Sequence, residues 1–129
     1  MAKKQRKSRS SGRKSAGSLP SGKWIKSPEQ HEDHKGQSLV TRSHDVIMEW
    51  AKNRKAKPAT IEGTEHGKRP GVLRLDFPDY GGQELRKIGW DYWFKSFDTR
   101  HLVFQFQEHM KNGKTSNFFK LNNPKRERE

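Results

Sequence analysis

The residues best equipped for chemistry near the start of the chain are His31-Glu32-Asp33-His34, with His44 downstream. Imidazoles and carboxylates are ligands for zinc-like ions. Helical metal motifs, however, set two histidines on one face of an ordered element. This run lies in a polar segment without cysteine, where binding would also have to order the chain, and a short His tract alone predicts no metal. A second carboxylate-bearing stretch is Pro78-Asp79 with Glu84-Leu85-Arg86. A metal-dependent nuclease needs a carboxylate pair on the metal and a nearby Lys. Here Arg86 stands two after Glu84, Lys87 follows it and Asp79 falls in a turn, so the context that motif needs is missing. Asp98 and His101 bracket a helix end, where capping and turn roles explain them. No nucleophile elbow, P-loop or dinucleotide fingerprint occurs. The chain is expected to carry no catalytic residue, no cofactor and no metal.

The strongest functional cue is electrostatic. Lys3, Lys4, Arg6, Lys7, Arg9, Arg13, Lys14, Lys23 and Lys26 fall within residues 1–26, where no acid occurs. Of 28 Lys and Arg in the chain, the other 19 face all 15 acids. A flexible cationic segment suits the phosphates of DNA or RNA, with little sequence information in the contact. Its serines keep it soluble, and phosphorylating them would reverse its sign. The competing explanation is a solubilising tail. Lys68, Arg69, Arg74, Lys111, Lys114 and Lys120 could extend the surface, but acids between them fit an ordinary solvated face.

With 129 residues, one domain plus tails is expected. The composition, 28% hydrophobic with a net charge of +13, would approach that of a disordered chain if it were uniform. It is not uniform: all aromatics but Trp24 lie between Trp50 and Phe119. Cysteine is absent, which excludes disulfides and Cys-based zinc or redox sites and fits a reducing compartment. No apolar run approaches the roughly 20 residues that span a bilayer. The basic start lacks the apolar stretch of a secretory signal, and Ala2, Ala16 and Leu19 are too few for the amphipathic face of a transit peptide. A cytoplasmic protein without membrane contact is expected.

The elements that must position any site follow from periodicity. Residues 1–40 read as a disordered Lys/Arg/Ser-rich arm, in which Trp24 and Ile25 either dock on the domain or stay exposed. Ser43 is placed to cap a helix carrying Val46, Ile47, Trp50 and Ala51 on one face, ended by Pro58. A short strand over 59–63 and a clear one over 72–77 follow. In the second, Leu73, Leu75 and Phe77 alternate with Val72, Arg74 and Asp76. Leu85–Ile88 adds a brief extended piece. Trp90, Trp93, Phe94 and Phe97 then recur at helical spacing, and after Thr99 the period changes to the alternation of Leu102, Phe104 and Phe106. Asn112-Gly113 turns the chain into a partner strand over 115–121. The fold class is α+β, in the order helix, two strands, helix, two strands, with a mostly antiparallel sheet. The domain boundaries are 1–40, 41–124 and a charged tail over 125–129.

Seven rings crowd the stretch from Trp90 to Phe106. They could be a platform for bases, but each large buried side chain contributes about 1.5–3 kcal/mol. A domain with so few aliphatics has little else for its core. Trp90, Trp93, Phe94 and Phe97 are therefore assigned to the interior. Tyr92 points off that face, and Phe118 shares a face with Ser116 and Lys120, away from Phe119 and Leu121. Tyr92 and Phe118 are thus the candidate exposed aromatic contacts.

Trp50-Ala51, Pro58 to Thr64, Pro70 to Phe77, Ile88 to Asp91, Trp93-Phe94, the Leu102 strand and Gly113 to Leu121 form a recurring pattern. In these residues, from about His44 to Leu121, the chain resembles a family of short uncharacterised bacterial proteins. Members sometimes bear the label of α-glucan branching enzyme, an activity housed in a (β/α)₈ barrel of about 200 residues or more. The folded part here has fewer than half that. The chain departs from the family pattern at Gly89, where a hydroxyl N-cap is expected, and in its long basic arm. The expectation is a non-enzymatic accessory protein touching DNA or RNA phosphates through the arm. A protein-interaction module with an incidental arm is the alternative, and a metal-dependent nuclease or sugar-active enzyme stands behind it.

Overall fold

Ser43 begins the first helix as its sequence predicts. In the computed structural model, which describes residues 21–64, 71–78 and 85–123, its hydroxyl accepts from the Val46 amide at 3.3 Å. Helix α1 spans His44–Asn53 and buries Val46, Ile47, Trp50 and Ala51. It does not run on to Pro58. The Ala56 amide reaches back to the Ala51 carbonyl at 2.9 Å and the Lys55 amide to Lys52 at 3.1 Å, with Lys55 at φ 60°. These paired bonds close a helix C-terminus through a left-handed residue. Helix α2, Trp90–Thr99, ends the same way, with Leu102 bonded to Phe97, His101 to Asp98, and His101 at φ 57°.

Among the described residues seven short strands accompany these helices, more than periodicity predicts. Strands β1 (Lys23–Trp24), β2 (Leu39–Thr41), β6 (Val103–Phe106) and β7 (Phe119–Asn122) form one sheet in the order β1-β2-β6-β7. Strands β3 (Lys57–Ile61), β4 (Leu73–Asp76) and β5 (Leu85–Lys87) form the other, with β3 in the middle. All neighbours are antiparallel except β1 and β2. Pro58 sits inside β3 rather than ending a helix. Its carbonyl accepts from Ile88, so its missing N–H faces the β5 side, where paired residues begin only at Ala59 and Lys87. No ladder bond is lost there, which is what admits proline to a strand.

The expected arm boundary at residue 40 is corrected by β1 and β2. Ile25, Leu39, Val40 and Thr41 are buried, Ile25 bonds to the Val40 carbonyl at 2.8 Å, and the Thr41 hydroxyl donates to the Ile25 carbonyl at 2.6 Å. Strands of two and three residues are too short to show an apolar period, so composition alone reads the segment as tail. The hairpin is also adjusted. Phe106 opposes Phe119, whereas His109 opposes Thr115, so the register slips by one and Asn117 is the extra residue. Such a slip flips every side chain beyond it. Ser116 is consequently buried while Phe118 is exposed, although alternation alone puts them on one face.

One core joins both sheets and both helices. Trp50 packs edge-on against Phe77, Phe104, Phe106 and Phe119, while Trp93 stacks on Phe97 at 5.4 Å. Both indole N–H groups are satisfied, Trp50 by the Gln107 carbonyl at 2.8 Å and Trp93 by that of Arg74 at 3.0 Å. Trp93, Phe94 and Phe97 are interior as predicted, and Trp90 is half-buried at the edge. No described helix is long and apolar enough to cross a membrane.

Candidate functional site

The cationic segment divides once the fold is known. Lys3, Lys4, Arg6, Lys7, Arg9, Arg13 and Lys14 lie outside the described residues. Lys23 belongs to the fold: its ammonium donates to Asp33 Oδ1 and to the His31 carbonyl, each at 2.9 Å. That hydrogen bond, reinforced by one from Gln37, holds the Asp33 carboxyl below its ordinary value. Lys23 already has a carboxylate partner and is no free arm charge. Lys26 is exposed.

A second cationic feature arises where α1 meets the three-stranded sheet. Lys52 comes from the last turn of α1, Lys55 from the left-handed residue beyond it, Lys57 from the start of β3 and Lys87 from the end of β5. All four are exposed at the rim of a cleft of about 710 Å³. Met48, Phe77 and Trp90 give it an apolar lining, and Asp76 is the one carboxylate among its described lining residues. Within the described residues none of the four lysines forms an ion pair. Lys52 also complements the negative end of α1, a role that accounts for one lysine. It does not account for Lys57 and Lys87, which come from the sheet.

The two candidate rings are exposed, Tyr92 at 39% and Phe118 at 45%, but they do not share a site. Phe118 lines a cleft of about 510 Å³ with Arg74, Leu85 and Lys120, and Phe77 separates this space from the lysine cleft by lining both. Tyr92 lines neither. Arg74 and Lys120 thus line the same cleft as Phe118, while Lys111 and Lys114 lie at the hairpin turn. Lys68, Arg69, Asp79 and Glu84 lie outside the described residues. Asp98 is engaged by His44 Nε2 at 2.9 Å, and His44 stacks on Phe94 at 4.0 Å, which are structural roles.

A third constellation crosses the chain. His31 and Glu32 follow β1, Glu108 and His109 follow β6, and the two pairs meet head to tail. His31 Nδ1 lies 2.8 Å from Glu108 Oε2, and His109 Nδ1 lies 2.6 Å from Glu32 Oε2. The Glu32 amide donates to Glu108 Oε1 at 3.0 Å. Sequence reading finds the first pair and sees nothing in the second, because 76 residues separate Glu32 from Glu108. The backbone beneath is fixed by Arg54, whose guanidinium donates to the carbonyls of Ser116, Trp50 and Glu108 and lies 4.4 Å from the Trp50 ring centroid. Burial pushes the Arg54 pKa down while the Glu108 charge opposes that shift.

No protein family, curated protein or solved structure matches the chain.

Proposed function

We propose that the protein is a non-enzymatic nucleic-acid-binding accessory protein that grips phosphates with its basic N-terminal segment and its lysine cleft together. The observation that carries this reading is the cleft: four exposed lysines from α1, the turn that ends it, β3 and β5, free of ion pairs among the described residues, around half-buried Trp90. Clustered ammonium groups neutralise phosphates, and an apolar ring beside them offers a face to a base. Lysines act here as point charges, without the planar fork that reads a base edge, so binding is sequence-tolerant. The seven bases over residues 1–20, with no acid among them, add reach without changing that character.

The test is a salt titration of binding to single-stranded and duplex DNA and RNA by fluorescence anisotropy, on the full chain. Three variants are compared with it: the first seven bases changed to Gln, Lys52, Lys57 and Lys87 changed to Gln, and both sets combined. Each lost phosphate contact on duplex DNA flattens the slope of log K against log salt by about 0.9. Both single sets are expected to flatten it, and the combined set to abolish binding at physiological salt. Undiminished affinity in the cleft variant would remove the cleft from the interface. Undiminished affinity in the combined variant would overturn the reading and favour a protein-interaction module.

A further inference from the structure

We propose that Glu32, Glu108 and His109 form a site for one divalent transition ion of the zinc class, with His31 at its edge. One ligand atom from each of the three residues lies within 4.8 Å of the others. Modest side-chain rotation therefore brings them to zinc–ligand distances of about 2.0–2.2 Å. The donor set of two carboxylates and an imidazole, joined by water at an open position, is the mixed oxygen–nitrogen type that such ions accept. Magnesium, which prefers oxygen ligands and holds its water, suits it less.

Two further observations point to a cation. Glu32 Oε1 is shut off from solvent and has no hydrogen-bond partner among the described residues, although the other oxygen of the same carboxylate is bonded to His109. A sequestered carboxylate oxygen without a partner is unfavourable, and a bound cation satisfies it directly. The second is the charge balance. The cluster brings two carboxylates together, and Arg54, whose charge reaches Glu108, directs the hydrogen bonds described above to main-chain carbonyls instead of to either carboxylate. Those bonds, with Gly36 donating to the His109 carbonyl at 3.0 Å and Ser116 to that of Glu108 at 3.2 Å, fix the backbone that presents both ligands. Such outer support is what holds a metal ligand in place. A cavity of about 300 Å³ borders His31, Glu108 and His109 and leaves room for water on the ion.

When the ion binds, His109 takes the tautomer with its one proton on Nε2, so that Nδ1 holds the ion in place of its hydrogen bond to Glu32 Oε2, and the ion links the segment after β1 to the hairpin after β6. The experiment uses the tag-free full chain, stripped with a chelator, then titrated with Zn²⁺ by calorimetry and with Co²⁺ by visible absorption. One equivalent is expected to bind, to raise the melting temperature and to give the absorption of cobalt with a nitrogen ligand. Glu32→Gln and His109→Ala are each expected to weaken zinc binding by at least about tenfold, the scale of losing even a supporting contact. His34→Ala is expected to change nothing, because His34 Nδ1 faces the Lys35 carbonyl at 3.1 Å, outside the cluster. Binding of no equivalent or of several overturns the site, as does a His34→Ala loss equal to that of His109→Ala. Should the cluster variants fail to fold, the cobalt spectrum of the unmodified chain decides: without a nitrogen-ligand signature the proposal fails.

Discussion

Lys55 holds a conformation that disfavours its own side chain. At φ 60° it occupies the left-handed position that ends α1, which glycine ordinarily fills. A residue with a Cβ is less stable there by about 1–2 kcal/mol. Lys55→Gly is therefore expected to stabilise the protein by about 1 kcal/mol in urea denaturation while weakening polyanion binding, since it removes one rim ammonium. A stability loss would show that the lysine stem packs on the cleft more than its backbone is strained. His101 ends α2 with the same geometry. Neither stop is legible in sequence, because neither Lys55-Ala56 nor His101-Leu102 carries the glycine that marks it.

Among the elements, the two helices differ at their starts rather than their ends. Ser43 caps α1 with a side-chain bond, whereas Gly89 caps α2 with none. Its backbone is extended, φ −76° and ψ 157°, and a Cβ there would meet none of the described residues within 4 Å. Gly89→Ser should add a hydroxyl cap and reduce the entropy of the unfolded chain, raising stability by about 0.5–1 kcal/mol. Thermal unfolding checks it, and an unchanged melting temperature would mean that the hydroxyl finds no amide. Both helices are plain in the sequence because a 3.6-residue period over ten positions is a strong signal. The hairpin is legible only to its turn: Asn112-Gly113 marks the reversal, but nothing in the residues 115–119 announces the slip at Asn117.

For the whole molecule, the decisive question is where tail becomes fold. Ile25 is 2% exposed and belongs to the common core, so Ile25→Ala is expected to destabilise by about 2–4 kcal/mol. Against a net stability of about 5–15 kcal/mol that is a large fraction, visible as a marked drop in the denaturation midpoint. An effect below about 0.5 kcal/mol, the size expected of an exposed position, would return residues 21–40 to the arm. The same segment carries His31 and Glu32 to the hairpin, so the proposed metal site and the seating of β1 are expected to stabilise each other.

The sequence alone determined the α+β class, both helices, the strand read over 72–77 that the structure forms as Leu73–Asp76, and the interior rings Trp93, Phe94 and Phe97. Each follows from local period, which survives in one dimension. It determined that Tyr92 and Phe118 are exposed, although for Phe118 the tertiary slip at Asn117, not simple alternation, separates it from Ser116. Only the tertiary structure decided that Lys23 pairs with Asp33, that Lys52, Lys55, Lys57 and Lys87 ring one cleft, and that Glu32 meets His109. Those groupings join residues from different elements, or across tens of positions, and some of the strands that position them, β1, β2 and β5, have only two or three residues. A strand so short leaves no periodic trace, because its hydrogen bonds and burial depend on partners far along the chain.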